Sequence, residues 1–238
     1  MEIIVLSSTK YKEKDSIINA ISKDGPVSFR ARGSLDPKHA MTWINNVLTV
    51  ADVELLEGKY KYPILNSASL ISSSITGSDS LEYLFAISAL AEITKDALLD
   101  EDKHRVYDHL IEATRALRKN KDPLMVNLLY LAKCIAIGGA EPNVDGCVYS
   151  GKTTDIVAFS FDDGGFVSRD YINENIALDL SPNQLKLIRY CFKAPDFSCV
   201  QSDKYSKEDK NKVLDKFVDF IDHNIGAKIT ATDYLKNN

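Results

Sequence analysis

The sequence predicts an α+β protein of two domains, in which short strands come first and helices follow. Up to Ile71, apolar and polar side chains alternate over several short runs, and a period of two is typical of half-buried strands. The small polar run Ser72–Ser78 then interrupts regular structure. Beyond it, apolar residues recur every three or four positions, which is the spacing of amphipathic helices. We therefore expect a β domain at 1–76 and a mostly α-helical domain at 77–238.

The composition is ordinary for a globular protein, with 45% hydrophobic and 26% charged residues among 238. No apolar run approaches the roughly 20 residues that a membrane span needs, and the N-terminus lacks the basic start and cleavage site of a signal peptide. Cysteines are few and irregularly spaced, so a disulfide framework is not expected. These features predict a protein of the reducing cytoplasm that has no membrane partner. The cysteines are Cys134, Cys147, Cys191 and Cys199.

Five strands are expected in the β domain. The first is Glu2–Thr9. The spacing of apolar residues in Ser16–Ser22 also suits a helix, but its β-branched residues and the turn Asp24-Gly25-Pro26 favour a strand. Five short strands in about 70 residues match an OB-fold barrel, whose ligand surface is the face of strands 2 and 3 with the loops joining strands 1–2 and 4–5. The last three strands are expected at Val27–Arg32, Val47–Leu56 and Lys61–Ile71.

The third strand separates an apolar face from a cationic one. Val27, Phe29 and Ala31 alternate with Ser28, Arg30 and Arg32, so that Arg30 and Arg32 share the polar face. Arginine donates paired hydrogen bonds to phosphate, and the tyrosines of the two ligand-side loops, Tyr11, Tyr60 and Tyr62, are able to stack on bases. A solvated strand face with ordinary charged loops would give the same pattern. The candidate DNA contacts, which we call the barrel cations, are Lys10, Lys12, Lys14, Arg30, Arg32, Lys38, Lys59 and Lys61.

The charge of the chain is unevenly distributed. The whole chain has 29 Lys/Arg and 34 Asp/Glu, a net charge of −5 that argues against a nucleic-acid binder. Residues 1–66 hold 9 Lys/Arg and 8 Asp/Glu, a net charge of +1. The remainder holds 20 Lys/Arg and 26 Asp/Glu, a net charge of −6. Binding depends on the local field more than on the total charge. A nearly neutral first domain therefore predicts modest, salt-sensitive affinity.

The second domain carries start and stop signals for several helices. Asp79 and Glu82 are spaced as a capping pair for the first, and Lys103–Lys119 is the expected second. Asp122-Pro123 starts the third helix, which ends at Gly138-Gly139. Ala140–Tyr171 is expected to be irregular, with a hairpin at Asp163-Gly164-Gly165. The remaining helices are expected after the capping box of Ser181 and Gln184, over Ser206–Asn224, and from Thr230 onward.

Motifs for catalysis are missing from the sequence. The histidines lack the spacing of a helical metal site, and neither a G-x-S-x-G motif nor a phosphate-binding glycine loop is present. Asp162-Asp163 suits a hard cation, but a turn explains it better. We therefore expect no enzymatic activity. The four histidines are His39, His104, His109 and His223.

Three segments carry motifs whose order along the chain is specific. The first runs from Asp15-Ser16-Ile17 through Gly25-Pro26-Val27-Ser28 to Ala31-Arg32-Gly33. In the second, Leu128-Leu129-x-Leu131 leads to Gly138-Gly139-Ala140-x-Pro142-Asn143-x-Asp145-x-Cys147-x-x-Ser150-Gly151. The third is Phe220-Ile221-Asp222-His223-Asn224-Ile225-Gly226-x-Lys228-Ile229-x-Ala231. Taken in order, the three segments resemble the RecO family of bacterial recombination mediators, and the resemblance covers nearly the whole chain.

The resemblance implies an N-terminal OB-fold followed by a helical domain, and a non-catalytic function. It implies binding of single- and double-stranded DNA, annealing of strands and, with RecR, loading of RecA onto strands coated by single-strand-binding protein. The implied location is the cytoplasm, in association with the nucleoid. Within the barrel cations it points first to Arg30, Arg32 and Lys38.

The chain departs from the family at a zinc-finger-like insert, at about 140–172. The four positions that resemble the family's cysteine ligands are Cys147, Ser150, Ser168 and Tyr171, of which only the first keeps a thiol. Structural zinc sites draw on four Cys or His ligands, so we expect no zinc and no other cofactor. Cys134, Cys191 and Cys199 lack a C-x-x-C spacing that would complete the site. The insert is instead expected to be filled by Val148, Tyr149, Phe159, Phe161 and Phe166.

The resemblance also implies capture of the acidic C-terminal tail of single-strand-binding protein, which requires cations beside an apolar groove. Lys186, Arg189 and Lys193 lie at helical spacing and are the first candidates, although a solvated helix face would look the same. Arg115 and Arg118 are the second. An alternative function is a protein-interaction scaffold whose barrel has little affinity for DNA. A metal-dependent enzyme is the least supported interpretation.

Overall fold

The computed structural model describes residues 1–57, 61–75, 79–200 and 202–237. Its first part is a closed five-stranded barrel in the order β1-β2-β3-β5-β4, with β4 pairing back to β1. Strands β3 and β5 are parallel, with Arg30 opposite Ile64. The predicted OB-like barrel is thus confirmed. Its strands are β1 (Glu2–Tyr11), β2 (Asp15–Ser22), β3 (Gly25–Ala31), β4 (Val50–Leu56) and β5 (Ile64–Ser72).

Alternation along the strands fills the barrel with apolar side chains. Phe29 and Ala31 of β3 are completely buried, as the pattern of that strand predicted. Ile44, from the 3-10 helix Thr42–Asn45, joins them from the connection between β3 and β4. The ambiguous segment is a strand, and it pairs with β3 from Ser16 to Ser22. The interior cluster is Ile3, Val5, Ile18, Ala20, Phe29, Ala31, Ile44, Ala51, Val53 and Leu65.

The fourth strand begins three residues later than predicted. Leu48 has a φ of 53°, so the chain turns there instead of extending. Its amide donates to the Val5 carbonyl at 2.7 Å, and the Val5 amide donates to the Thr49 carbonyl at 2.9 Å. This turn directs the buried Leu48 side chain to the outside of the barrel, into the core of the helices.

Strand β1 has two buried faces. Ile3 and Val5 point into the barrel, whereas Ile4 and Leu6 belong to the core that the helices form. The Tyr107 hydroxyl also donates a 2.7 Å hydrogen bond to Glu2 Oε1. The barrel therefore packs on the helices through an apolar contact. The predicted boundary at residue 76 lies outside the described residues, and the division into two domains stays a prediction.

The described residues of the second part of the chain form six α-helices, as predicted. Asp122 accepts the Met125 amide at 3.0 Å to start the third, which ends in a π-helical turn over Ala136–Ala140. Both hydrogen bonds of the Ser181 capping box are present. The helices are α1 (Leu81–Asp96), α2 (Tyr107–Arg118), α3 (Pro123–Ile135), α4 (Pro182–Lys193), α5 (Lys207–Ile225) and α6 (Ala231–Asn237).

Two helix starts differ from the prediction. Ser80, not Asp79, caps α1, because its hydroxyl accepts the Tyr83 amide at 3.2 Å. Asp79 pairs instead with Arg118 of α2, at 2.6 Å. The expected second helix begins with the 3-10 turn Lys103–Val106 before α2 proper. Spacing alone does not distinguish a cap from a neighbouring ion-pair partner.

Helix α3 is the apolar centre of the helical part. Every residue from Leu124 to Ala132 is buried. By length and composition, the 18-residue stretch Pro123–Ala140 is also the one candidate membrane span among the described residues. It is longer than any apolar run identified from the sequence. Its burial among the other helices accounts for its apolar character.

The insert contains a small sheet rather than an irregular segment. Its strands are β6 (Asn143–Cys147), β7 (Ile156–Ser160) and β8 (Gly165–Ser168), in the order β6-β8-β7. The predicted hairpin joins β7 to β8. Gly165 has a φ of 147°, and a Cβ at this position would overlap the Asn143 backbone. Glycine is therefore required where β6 and β8 approach each other.

Candidate nucleic-acid interface

The outer face of β1, β2 and β3 is a polar surface with small side chains. Ser7, Asn19 and Ser28 lie side by side on the three strands. Asn19 donates to Ser7 Oγ at 3.0 Å, and the Ser28 hydroxyl donates to Asn19 Oδ1 at 2.7 Å. The next row toward the β1–β2 loop contains Ile17 opposite Arg30. The uncharged row of Ser7, Asn19 and Ser28 was not identified from the sequence, although strand alternation places these residues on the polar face.

Arg30 is held by a carboxylate on the neighbouring strand. Its Nε donates to Asp15 Oδ2 at 2.8 Å, and its Nη2 makes a second, short contact with the same oxygen. The other Asp15 oxygen accepts the Gly33 amide at 2.8 Å. The guanidinium lies 5.1 Å from the centre of the Tyr11 ring, and only 18% of the Arg30 side chain is exposed. Arg30 is thus already paired in the free protein.

Electrostatics agree with this arrangement. Partial burial raises the pKa of Asp15, but the Gly33 amide and the Arg30 guanidinium outweigh it, so the net pKa lies below its ordinary value. The ionised carboxylate is therefore the stable form beside Arg30.

A second carboxylate ties the β1–β2 loop to the segment after β3. Lys14 Nζ lies 2.8 Å from Asp36 Oδ2, and the Leu35 amide donates to the Lys14 carbonyl at 2.9 Å. The Lys38 amide donates to the other Asp36 oxygen at 3.1 Å. The hydrogen bond with Lys14 is the main cause that lowers the pKa of Asp36, and it raises the pKa of Lys14.

Four other barrel cations are exposed and form no ion pair among the described residues. They are Lys10, Lys12, Lys38 and Lys61. Lys12 lies 5.7 Å from the Tyr11 ring, and Lys61 lies 5.2 Å from the Tyr62 ring. Arg32 is exposed directly after β3. The predicted contacts Lys59 and Tyr60 lie outside the described residues.

The structure brings the two ligand-side loops to the same end of the barrel. The Arg30 amide donates to the Pro63 carbonyl at 2.9 Å, which places the end of the β4–β5 connection beside β3. Lys61 and Tyr62 belong to this connection, and Tyr11 and Lys12 to the β1–β2 hairpin. Cations and aromatic rings from distant parts of the sequence therefore line one end of the barrel.

The first candidate site for a partner lies on α4. Asp145 takes two of the three cations, at 3.1 Å from Arg189 and 2.6 Å from Lys193. Lys186 is exposed. A cavity of about 290 Å³ lies next to it, with Leu185 among its apolar lining. The other apolar side chains of this cavity are Val144, Ile156, Phe166 and Pro182.

The second candidate site lies at the end of α2. Arg118 is paired with Asp79 and covers the Tyr83 ring at 4.4 Å, so it is engaged within the protein. Arg115 borders a cavity of about 370 Å³ that Lys119 and Lys121 also line. These three cations form no ion pair among the described residues. Sequence reasoning missed the two lysines, which follow the helix in the chain.

The insert brings three of the four ligand-like positions together without a metal set. The Cys147 sulfur accepts the Ser168 amide at 3.3 Å. Burial raises the pKa of Cys147, but hydrogen bonds from Ser150 and Ser168 outweigh it and lower the pKa to about 6. The buried Ser168 hydroxyl has no other partner among the described residues. Tyr171 is 43% exposed and stacks on Tyr149 at 5.3 Å.

These residues do not fit a structural zinc ion. They provide one thiol and no imidazole, and no group of three or more Cys, His, Asp or Glu suited to a metal occurs among the described residues. Aromatic packing fills the insert, since Phe159 contacts Phe161 and Phe166 edge to face at 4.7 and 5.9 Å. Tyr149, which was expected within this packing, is instead 50% exposed.

Comparison with known proteins independently supports the family resemblance that the sequence motifs indicate. The family model described as "Recombination protein O C terminal" matches residues 78–233. A protein of Bacillus cereus (strain B4264), named DNA repair protein RecO, is 28% identical over 196 residues, covering 81% of this chain and 78% of the relative. The protein of that name from Bacillus mycoides (strain KBAB4) gives the same values. The one from Bacillus cereus (strain AH187) is 26% identical over 225 residues, covering 92% and 90%.

Proposed function

This chain belongs to the RecO family of DNA repair proteins, and on that premise we propose that it is a non-catalytic recombination mediator. In this proposal it binds single- and double-stranded DNA and anneals complementary strands. With RecR, it helps to load RecA onto strands coated by single-strand-binding protein. It acts in the bacterial cytoplasm, in association with the nucleoid.

One observation carries the DNA-binding part of the proposal. The exposed cations lie at the ligand side of an OB-like barrel: Lys10 at the end of β1, Lys12 between β1 and β2, Lys38 after β3 and Lys61 between β4 and β5. Lys12 and Lys61 lie beside tyrosine rings, and the outer face of β1–β3 is polar with small side chains. This combination suits phosphates with stacked bases. Each lysine acts as a point charge toward phosphate, so the interaction is independent of base sequence.

The test is the salt dependence of single-stranded DNA binding after all four lysines are replaced by Gln. Each lost phosphate contact should reduce the slope of log affinity against log salt by roughly 0.7. Lys207→Gln with Lys228→Gln removes two exposed charges of the helical part and is the matched control for the double variant Lys12→Gln with Lys61→Gln. An unchanged slope in the folded quadruple variant would exclude this surface.

The scaffold function is the second candidate, and the internal pairing of Arg30 and Lys14 favours it. Under that function, the wild-type protein would bind single-stranded DNA no more tightly than a protein of the same net charge without a barrel. The same titration therefore decides between the two.

For capture of the acidic tail of single-strand-binding protein, the geometry favours the groove at the end of α2. Its three cations form no ion pair among the described residues, although the carboxylates of Glu112 and Asp196 also line the groove. On α4, by contrast, Asp145 pairs directly with two of the three cations. The buried Phe197 contributes apolar surface to the groove. A tail peptide should lose affinity when Arg115, Lys119 and Lys121 become Ala. A loss confined to the Lys186, Arg189 and Lys193 triple variant would place the peptide on α4.

A further inference from the structure

Two carboxylates lie within the cationic end of the barrel, where a phosphate-binding surface would be expected to exclude them. Asp15 forms an ion pair with Arg30, and Asp36 forms one with Lys14. Resting on the proposed DNA binding by this surface, we propose that Asp15 and Asp36 are internal competitors of phosphate. They occupy Arg30 and Lys14 in the free protein and thereby lower its affinity for DNA.

The chemistry of the two anions supports the competition. Carboxylate and phosphate both offer paired oxygen acceptors to a guanidinium or an ammonium group. Arg30 directs Nε and Nη2 at one Asp15 oxygen, so two of its five N–H donors and its charge are already paired. Lys14 likewise donates to Asp36 and forms an ion pair with it. A phosphate that reaches either cation must displace the carboxylate or share the cation with it.

The two pairs differ in how easily they open. The Lys14 and Asp36 side chains are 60% and 30% exposed, and exposed ion pairs contribute little to stability. The Arg30 and Asp15 side chains are only 18% and 14% exposed, and the Gly33 amide and the Tyr11 ring hold them further. Asp36 is therefore the competitor that yields first, and Asp15 the one that yields last.

Asp36→Asn is the decisive variant, since it keeps the acceptor for the Lys38 amide and releases Lys14. With one additional phosphate contact, the slope of log affinity against log salt on single strands should steepen by roughly 0.7. If the contact is lost at 1 M salt, that slope corresponds to roughly eightfold tighter binding at 50 mM. Titration of a labelled oligonucleotide over this salt range measures both quantities.

Glu13→Gln is the matched control. Glu13 is an exposed carboxylate next to Lys14 that forms no ion pair among the described residues. Its removal changes the net charge by the same amount without releasing a cation, so the slope should stay at the wild-type value. If both variants steepen the slope equally, general charge explains the result and the inference is overturned.

A second background removes the released cation itself. In Lys14→Ala, the added change Asp36→Asn should leave the slope unaltered, and a persisting gain would also overturn the inference. Asp15→Asn should steepen the slope in the same way through Arg30, with thermal melting as the check on folding. Wild-type binding that ignores all four exposed lysines would refute the DNA surface instead. Binding that needs those lysines but shows no gain in Asp36→Asn would refute this inference alone.

Discussion

Asp15 links the stability of the barrel to pH at the scale of one residue. Its folded-state pKa lies below the ordinary value of 3.8, through the Gly33 amide and the Arg30 guanidinium. The stabilisation is therefore present above about pH 4 and is lost as the pH falls toward the folded-state pKa.

We expect Asp15→Asn to lower the free energy of unfolding by about 1–3 kcal/mol at pH 7, the usual range for a hydrogen bond to a charged group. The gap between wild type and variant should shrink as the pH falls below about 4 toward the lowered folded-state pKa, because the wild-type carboxyl then becomes neutral as well. Denaturant unfolding at each pH measures it. A gap of constant size would show that the charge on Asp15 contributes nothing.

Cys147 gives a second prediction at this scale. One thiol hydrogen-bonded by Ser150 and Ser168 replaces the four-ligand set of the family, so the chain should purify without zinc. Metal analysis of protein prepared without chelator should find less than one zinc per ten chains. Melting temperatures with and without a strong chelator should agree. One zinc per chain together with destabilisation by the chelator would contradict this.

Helix α3 is the element on which the helical part depends. Leu128 is completely buried at its centre, whereas Leu99 is 58% exposed in the loop after α1. Leu128→Ala should destabilise the protein by about 2–5 kcal/mol, since it removes buried methyl groups and leaves a cavity. Leu99→Ala is the control and should change stability by less than about 0.5 kcal/mol. Denaturant midpoints compare them, and equal effects would contradict the central position of α3.

Elements were predictable from sequence where a local signal determines them. The alternation of apolar and polar residues predicted Phe29 inside the barrel. The starts of α4 and α3 were predictable because Ser181 and Asp122 bind backbone amides only three residues away. Pairing between distant segments was not predictable. Asp15 meets Arg30 across 15 residues, and Asp79 meets Arg118 across 39. Because such contacts follow from the tertiary fold, the cationic face was located from sequence but its internal neutralisation was not.

At the scale of the molecule, β1 joins the barrel to the helices. Ile4, Leu6, Ile21 and Leu48 bury their side chains in the helical core, so neither part keeps its apolar surface covered without the other. We expect the intact chain to unfold in one cooperative transition. Coincident denaturant curves from the fluorescence of Trp43, next to the barrel interior, and from far-ultraviolet circular dichroism of the helices would show it. Two separated transitions would support the independent domains predicted at residue 76.

The two buried faces of β1 also have a consequence for biosynthesis. All five barrel strands leave the ribosome before α1 does, so a newly closed barrel has nothing to cover the stripe of Ile4, Leu6, Ile21 and Leu48. At about 5–20 residues per second, the rest of the chain takes roughly 10–30 s to appear. During that interval the nascent barrel exposes an apolar surface of the kind that chaperones recognise. A nascent chain stalled after β5 should therefore recruit chaperones more strongly than one released at full length.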